Sequence, residues 1–294
     1  MTTLLMATAD AGAPPGYYTW GSTVNTMQIS ASQARTGSKS FYTQFTTVSG
    51  AFRMFFPQIT PTEIYFRFAI RHASTSNTRL AAAFNVMGPN LLQDISSGTS
   101  VKIRNGTSVL HTLAGVIIPS QWRVYEVKAT TTTITVRLDG VEVYHGTGLT
   151  VDLTDLSYID FSSAGCMAYW DDIVVCTDKW PGLGGLHVFT PTGPGIVTDW
   201  SDSLPNLNTP AAASGTKHLF THDNAPATAA LVHRVGVGCT AKVNGQGYGA
   251  IKPLLNNDAG TEQALSVSSQ YFQQYWPGMS VADFNASEIG VQSA

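Results

Sequence analysis

The chain has 294 residues, a length typical of about two domains. Only 12% of the residues are charged and 43% are hydrophobic, a composition that suits extended, neutral β surfaces and excludes a disordered chain. The formal net charge of −3 argues against nucleic-acid binding, which normally requires a basic patch.

The N-terminal segment and the cysteines bear on where the protein folds. Met1–Asp10 lacks a basic region and has only a short apolar run, so the sequence predicts no signal peptide. No stretch approaches ~18 apolar residues, so we expect no membrane insertion. The three cysteines give no disulfide framework, because Cys166 and Cys176 lie too far apart on one extended segment at roughly 3.3 Å per residue. We expect buried free thiols and folding in a reducing cytosol.

The pattern along the chain is that of strands, with no long helix. Thr62–Ala73 alternates apolar with polar side chains and predicts a half-buried strand. Leu80–Phe84 suits a single helical turn. Trp122–Lys128 and Thr131–Leu138 predict further strands. Turn signals recur about every 8–12 residues, the spacing of an all-β sandwich.

Two hairpins are indicated by their turn residues. Asn105 and the glycine after it predict a turn that places Val101 opposite Leu110. In Ile134–Tyr144, Asp139 and Gly140 form the two-residue type I′ signal, in which both positions need positive φ. This second turn predicts three cross-strand pairs: Leu138 with Val141, Val136 with Val143, and the oppositely charged Arg137 with Glu142.

The composition changes near residue 178, where glycine and proline interrupt regular strands. Beyond it, Leu231–Val243 and Ala264–Gln273 suit strands, Asn244–Gly249 suits a turn, and Met279–Phe284 suits a helical turn that Ser280 caps. We therefore predict a concanavalin A-like jelly-roll sandwich followed by a smaller β-rich domain. The predicted divisions are an N-terminal docking arm (1–20), the jelly roll (21–178), a Gly/Pro-rich linker (179–195) and the C-terminal β-rich domain (196–294).

Asp171 and Asp172 form the carboxylate pair most suggestive of an active site. Neighbouring residues on a strand point to opposite faces, so we expect one to orient the strand end and the other to face solvent or a loop. A structural role is the main interpretation, and a calcium or sugar contact stays open. The five glutamates do not form the Glu-x-Asp-x-x-Glu arrangement of jelly-roll glucanases, so we predict no catalytic residues and no cofactor.

Two weaker motifs are interpreted as structural. His218 and His222 would lie about 13 Å apart on one face of a strand, too far to share a metal ion without a turn, so we expect solvated or hydrogen-bonding histidines and no metal site. Gly236–Ala241 matches a permissive dinucleotide pattern, but no helix is indicated after it, and we expect a strand of small residues.

Aromatic residues are the remaining candidates for a binding surface. Their faces stack on sugar rings, although core packing and subunit interfaces are the alternative for each. Those after the proline-rich segment near residue 14 look more like docking residues than interior ones. The candidate glycan or interface contacts are Tyr17, Tyr18, Trp20, Trp180, Trp200, Tyr275 and Trp276.

The order of several short segments resembles a family of tailed-bacteriophage virion proteins built on a concanavalin A-like (LamG-like) jelly roll. The likeness extends over most of the chain and lies in the order of the motifs. The opening departs from the family pattern, because Ala7–Gly12 stands where similar proteins often carry an Asp-Gly-Phe-Asp type sequence. The segments are Met1–Met6, Trp20, Gly37–Phe41, Ile64–Ile70, Trp122–Val127, Leu138–Val141, Trp170–Val175, Gly185–Phe189, Pro191, Trp200 and Val281–Gly290.

The resemblance implies a non-enzymatic structural protein of the phage particle, in the tail, a fibre or the particle surface. Its expected partners are other virion proteins, further copies of itself, and carbohydrate of the host surface. Its expected location is the virion, assembled in the host cytoplasm. Two alternatives stay open: a head-decoration protein that stabilises the capsid without a ligand, and a glycan-degrading enzyme.

Overall fold

The computed structural model describes residues 3–11, 18–20, 27–45, 50–72, 79–84, 89–93, 99–164, 166–189, 191–198, 217–227, 229, 231–241, 250–256, 258–265 and 270–293. The chain forms two compact units, Met1–Val188 and Phe189–Ala294. No helix in the described part of the chain is long and apolar enough to cross a membrane.

In its described residues, the first unit consists of strands, loops and a 3-10 turn at Ala9–Ala11. Its strands, in chain order, are β1 (Thr3–Ala7), β2 (Tyr18–Trp20), β3 (Met27–Ser30), β4 (Ser40–Phe45), β5 (Gly50–Ile59), β6 (Glu63–His72), β7 (Arg79–Phe84), β8 (Pro89–Gln93), β9 (Val101–Asn105), β10 (Ser108–Leu113), β11 (Trp122–Thr130), β12 (Ile134–Leu138), β13 (Val141–Gly146), β14 (Leu156–Ala164) and β15 (Cys166–Cys176).

These strands form two antiparallel sheets. Sheet I has eight strands in the order β13-β12-β11-β6-β15-β4-β3, with β1 also paired to β15. Sheet II has seven, in the order β10-β9-β8-β7-β14-β5-β2. Side chains of both sheets meet in one apolar core, which confirms the predicted all-β sandwich.

Large aromatic side chains fill the core between the sheets. The ring centroids of Phe161 in sheet II and Trp170 in sheet I are 4.9 Å apart, and Phe52 lies 4.9 Å from Phe161. All three side chains are at most 1% exposed. Truncating such a residue typically costs about 3–5 kcal/mol, so this cluster fixes the position of one sheet on the other.

The predicted type I′ hairpin is confirmed, with one change of register. Asp139 and Gly140 have φ of +49° and +83°. Leu138 pairs with Val141 and Arg137 with Glu142, as expected. A bulge between Val136 and Arg137 then shifts the register, so that Val136 pairs with Tyr144 and not with Val143.

Three local predictions are wrong. Val101 pairs with Leu113 and not with Leu110, because the β9–β10 turn begins at Gly106 and the ladder shifts beyond Val109. Leu80–Phe84 is strand and not helix, since β7 hydrogen-bonds to a strand on each side. The segment 1–20 is not a separate arm: β1 and β2 belong to the two sheets.

The second unit is smaller and β-rich, as predicted. A sheet has the order β16-β17-β23-β19-β20, with β21 beside β19, and β18 pairs with β22. A short helix α1 (Val281–Asn285) begins after Ser280, whose Oγ accepts a hydrogen bond from the Asp283 amide (3.0 Å), which confirms the predicted cap. The strands are β16 (Pro191–Thr198), β17 (Lys217–His222), β18 (Val232–Ala241), β19 (Ala250–Leu255), β20 (Asp258–Ala259), β21 (Gln263–Ala264), β22 (Gln270–Met279) and β23 (Ile289–Ser293).

The strand predictions for this unit are met in part. The strand expected over 231–243 is β18, which includes the small-residue stretch Gly236–Ala241. The strand expected over 264–273 begins at Gln270 as β22 and runs on to Met279. The turn predicted at 244–249 lies outside the described residues.

Candidate functional site

The carboxylate pair on β15 lies inside the protein. Asp171 and Asp172 are both 0% exposed, so the expectation that one of them faces solvent is wrong, and the alternative, that it faces a loop, is right for both. The reason is a bulge: the β15–β6 register shifts after Asp171, and Asp172 has φ of +52°. This irregularity breaks the strict alternation of a strand and lets both carboxylates reach the same loop.

That loop is Arg35–Thr36, which supplies donors to both carboxylates. Asp171 Oδ2 accepts the backbone amides of Arg35 (3.0 Å) and Thr36 (3.2 Å). Its Oδ1 accepts Thr8 Oγ1 (3.2 Å). Asp172 forms an ion pair with the Arg35 guanidinium and accepts Thr36 Oγ1 at 2.6 Å. Both carboxylates are therefore used to fix the chain.

Burial raises the pKa of Asp171 to about 6, and the neighbouring Asp172 carboxylate adds to the shift. A carboxyl group with such a pKa is suited to general acid catalysis when a substrate reaches it. Asp171 is closed to solvent, so the raised pKa here reflects the burial of a structural group.

Residues Trp180–Leu186 form a cover segment over the outer face of sheet I. Arg67 on β6 donates to the carbonyl of Gly182 (2.8 Å) and to that of Gly184. Glu126 Oε1 accepts the Gly182 amide (2.7 Å). Asp172 Oδ1 accepts the Leu186 amide (2.6 Å). Arg67 is only 2% exposed as a result, so β6 is buried on both faces and not half-buried.

The cover segment corrects two sequence predictions. Residues 179–188 are bound to the first unit, so the predicted linker 179–195 is not a free connection in its first half. Trp180 is not an open sugar platform either. Its ring meets Tyr65 edge-on at 5.4 Å, and the Arg137 guanidinium lies 3.9 Å from its centroid. Both contacts hold Trp180 against sheet I.

The outer face of sheet II, here called the open face, carries a different set of side chains. Phe52 and Met54 point into the core, so Arg53 and Phe55 project outward from β5. On β14, Tyr158 and Asp160 are their register partners. These four residues bring aromatic and charged groups together on one surface, towards the β2 edge of sheet II.

The contacts among these four residues are close. Arg53 forms two hydrogen bonds with Asp160, at 2.7 and 2.9 Å. The same guanidinium lies 3.5 Å from the ring centroid of Tyr158. Phe55 meets Tyr158 edge-on at 6.0 Å and is 41% exposed. Burial raises the pKa of the Asp160 carboxyl, and Arg53 opposes that shift.

The ladder of sheet II extends this group into two rows across the strands. Neighbouring strands lie about 4.8 Å apart, so four spacings from Arg53 to Arg104 span about 19 Å. The candidates Tyr18 and Trp20 stand at the β2 end of these rows by register. The first row is Tyr18, Arg53, Asp160, Ala83, Asn90, Arg104 and Val109, and the second is Trp20, Ala51, Ser162, Ala81, Leu92, Lys102 and Thr112.

The sequence reasoning missed Arg53, Phe55, Tyr158 and Asp160. A partial signal was present, because Arg53 stands between the apolar Phe52 and Met54, and Asp160 stands between the apolar Ile159 and Phe161. Two other candidates, Tyr17 and Trp200, lie outside the described residues.

The aromatic candidates of the second unit are partly core residues. Trp276 packs with Val235 and Val237 in the core and donates its Nε1–H to Asp258 (2.9 Å), so it is not a surface contact. Tyr275 is half-buried and pairs with Gly236.

The two histidines of β17 are buried. His218 stacks on Phe220 with ring centroids 4.6 Å apart. His222 bonds to Ser287 Oγ (3.0 Å) and to the carbonyl of Asp223 (2.8 Å). The hydrogen-bonding interpretation is right for His222, and the solvated one is wrong for both. Within the described ranges, no group of three or more His, Cys, Asp or Glu residues is arranged to hold a metal ion.

A pocket of about 340 Å³ lies beside His222 in the second unit. Its polar groups bond to one another: Asn256 Oδ1 accepts the Glu288 amide (2.8 Å), and Glu288 Oε1 accepts the Ile196 amide (2.9 Å). These bonds tie β16 and β19 to the residues before β23. The lining residues are Ile196, Leu219, Thr221, His222, Asn256, Asn285, Ala286, Ser287 and Glu288.

The chain matches no protein-family model and no curated protein. Among solved structures it is similar to a sialidase (8% identity, TM-score 0.49), covering 60% of this chain and only 19% of the sialidase. It is also similar to an endo-β-1,4-glucuronan lyase from the fungus Trichoderma reesei. The identity is 11% and the TM-score 0.46, and the match covers 60% of this chain and 96% of the lyase. A third match is the carbohydrate-binding module CBM66 from Bacillus subtilis. The identity is 12% and the TM-score 0.41, and the match covers 54% of this chain and 93% of the module. These values assign neither a family nor an activity to this chain.

Proposed function

We propose that this chain is a non-enzymatic structural protein of a bacteriophage particle and that its open face contacts glycans of the host surface. The ordered segments that resemble tailed-phage virion proteins support the first part. The exposed group around Tyr158 on sheet II supports the second.

The observation that carries the glycan contact is the way Arg53, Tyr158 and Asp160 are assembled. Sugar rings present apolar C–H faces that stack on aromatic rings, and their hydroxyl groups bond to charged side chains. Arg53 is held by Asp160 on one side and by the Tyr158 ring below it. The group is therefore pre-arranged, so binding requires little loss of side-chain freedom.

The carboxylates favour binding over hydrolysis. Glycosidases commonly use two carboxyl groups about 5–9.5 Å apart beside the scissile bond. In the two described rows of the open face, Asp160 is the one carboxylate, and it is paired with Arg53. Asp171 and Asp172 are buried beneath the loop that they bind.

A glycan array tests the contact. Wild-type protein is expected to bind, and the double variant Phe55→Ala/Tyr158→Ala is expected to lose at least about tenfold in affinity. Tyr169→Ala is the matched control, because Tyr169 is a half-buried tyrosine of sheet I whose ring contacts that of Tyr42, with centroids 4.9 Å apart. If folded wild-type protein binds no glycan on the array, the proposed glycan contact is wrong.

Electron microscopy of labelled particles tests the virion assignment. Antibody label on the tail or at fibre positions, in few copies, is the expected result. Absence of the protein from purified particles would overturn the assignment. Depolymerisation of a host polysaccharide by the pure protein would overturn the non-enzymatic part.

A head-decoration role is the second candidate. The observation that favours it is the exposure of apolar side chains in the second unit, Ile196 at 82% and Leu231 at 54%. Exposed apolar groups are suited to protein interfaces when they adjoin one another. This role predicts label over the whole capsid and many copies per particle.

A further inference from the structure

We infer that the open face selects anionic polysaccharides, those whose sugars carry carboxylate or sulfate groups. This inference rests on the glycan contact proposed above and specifies its chemistry. It follows from the position of charge along the rows of sheet II.

The two rows have an excess of positive charge. They contain three cationic residues, Arg53, Lys102 and Arg104, against the single carboxylate of Asp160. The whole chain has the opposite balance, with 16 basic and 19 acidic residues. A cationic strip on a protein of net negative charge attracts an anion locally while the rest of the surface repels it.

Two of the three cationic residues lie at one end of the rows. Arg53 is neutralised by its two bonds to Asp160, so it contributes little net charge at the β5 end. Lys102 and Arg104 lie two residues apart on β9 and therefore share a face, opposite to that of the buried Val101 and Ile103. The rows thus run from an aromatic end to a cationic end.

At the cationic end, the guanidinium of Arg104 carries hydrogen-bond donors. Its Nη1 donates to the Thr107 carbonyl (3.1 Å), which ties the side chain to the β9–β10 turn. Its Nε is buried and has no hydrogen-bond partner. A guanidinium has five N–H donors in a planar fork, which matches the two oxygens of a carboxylate or sulfate. The buried Nε is closed to a ligand, so an anionic group bound there would bond to the terminal N–H groups that Thr107 leaves open.

The distance between the two ends indicates a polymer. Arg53 and Arg104 are separated by about 19 Å across the strands, which is longer than one sugar. By register, the β7 positions of the two rows are alanines 81 and 83. An extended oligosaccharide that stacks near Tyr158 therefore reaches β9 with its acidic groups.

Titration calorimetry with four probes tests this inference: polygalacturonate for carboxylates, dextran sulfate for sulfates, neutral dextran, and single-stranded DNA. We expect at least one acidic polysaccharide to bind at low salt, with affinity falling as salt rises. We expect dextran and DNA to bind at least about tenfold more weakly.

Charge-neutral variants identify the surface. Arg104→Gln and Lys102→Gln are each expected to lower the affinity for the acidic polymer about tenfold. Arg71→Gln is the matched control, since Arg71 is a sheet I arginine whose Nε also donates to a backbone carbonyl, that of Ser120 (3.1 Å). The control is expected to bind as the wild type does. Circular dichroism and thermal melting establish that each variant is folded.

The outcomes separate this inference from the proposed function. Dextran binding that equals acidic-polymer binding, with no effect of Arg104→Gln, would overturn the charge selection and leave the glycan contact standing. DNA binding as tight as that of the acidic polymers would overturn it as a general anion effect. Failure of every glycan, here and on the array, would overturn the glycan contact itself.

Discussion

The outer faces of sheets I and II follow the same alternating rule and differ in what lies over them. On sheet I, the cover segment Trp180–Leu186 buries the outward residues, and Arg67 is 2% exposed. On sheet II, the outward Phe55 is 41% exposed. The alternation of side chains along a strand predicts which residues point away from the core. Whether those residues are exposed to solvent depends on whether a segment distant in sequence covers them.

The charged groups of the two faces differ in the same way. Asp172 accepts bonds from Arg35, Thr36 and Leu186, all from loops. Asp160 bonds to Arg53 on the neighbouring strand. A buried charge needs partners from several segments, whereas a charge near solvent needs only one. The outer face of sheet I, here called the covered face, is therefore expected to contribute more to stability than the open face.

The largest loss of stability is expected for a substitution on the covered face. Asp172→Ala removes the acceptor for the Arg35 guanidinium and the Leu186 amide and leaves buried donors without partners. We expect the free energy of unfolding to fall by about 3–5 kcal/mol, measured by urea denaturation. A loss below about 1 kcal/mol would mean that the cover segment is dispensable.

A smaller loss of stability is expected where the type I′ hairpin contacts the cover segment. An alanine Cβ at Gly140 would lie 3.1 Å from Leu183 Cδ1, and one at Gly148 would meet nothing within 4 Å. Both glycines have positive φ, so each alanine costs about 1–2 kcal/mol for the backbone alone. We expect Gly140→Ala to cost more than Gly148→Ala in urea unfolding. Equal costs would mean that Leu183 adjusts freely.

Asp160→Ala on the open face sharpens the comparison with Asp172→Ala. Arg53 loses its partner but lies next to solvent, so water replaces the lost bonds. We expect a loss of only about 1 kcal/mol in the free energy of unfolding. A loss as large as that of Asp172→Ala would contradict the distinction between the two faces.

Two buried groups of the first unit give opposite pH dependences. Burial lowers the pKa of His72 to about 4, so its contribution to stability is present above pH 6.5 and is lost as pH falls through about 4. The pKa of Asp171 is raised to about 6, so its contribution is present below pH 3.8 and is lost as pH rises through about 6.

Between pH 4 and 6 these two contributions oppose each other in the wild type. His72→Gln is expected to make stability fall as pH rises in this window, and Asp171→Asn to make it rise. Urea unfolding at several pH values between 4 and 6 gives the slope of the free energy of unfolding against pH. The slope of each variant is compared with that of the wild type. Unchanged slopes in both variants would show that neither group titrates there.

The features that the sequence predicts well are local ones. The Asp139–Gly140 turn and the existence of strand β6 are encoded in neighbouring residues, and both are present, although β6 is buried on both faces. The bulges at Val136 and Asp171 were missed because strict alternation allows only a spacing of two, whereas the second bulge moves the core positions from Trp170 to Ile173. Burial of both aspartates follows from the second of these.

The candidate site was harder to predict. The cover segment is rich in glycine, and its binding comes from backbone groups that carry no side-chain signal. On the open face, Arg53 and Asp160 are 107 residues apart in the chain and meet only through the pairing of β5 with β14. Sequence alone identifies such residues as outward without showing that they are neighbours.

The position of β15 has a consequence for synthesis on the ribosome. This strand is in the middle of sheet I, where it pairs with β1, β4 and β6, yet it is the last strand of the first unit. Until residue 176 has left the exit tunnel, β1 and β4 have no central partner. Strand β1 must therefore wait for β15, and the sandwich can complete its folding only after the last strand of the first unit has emerged.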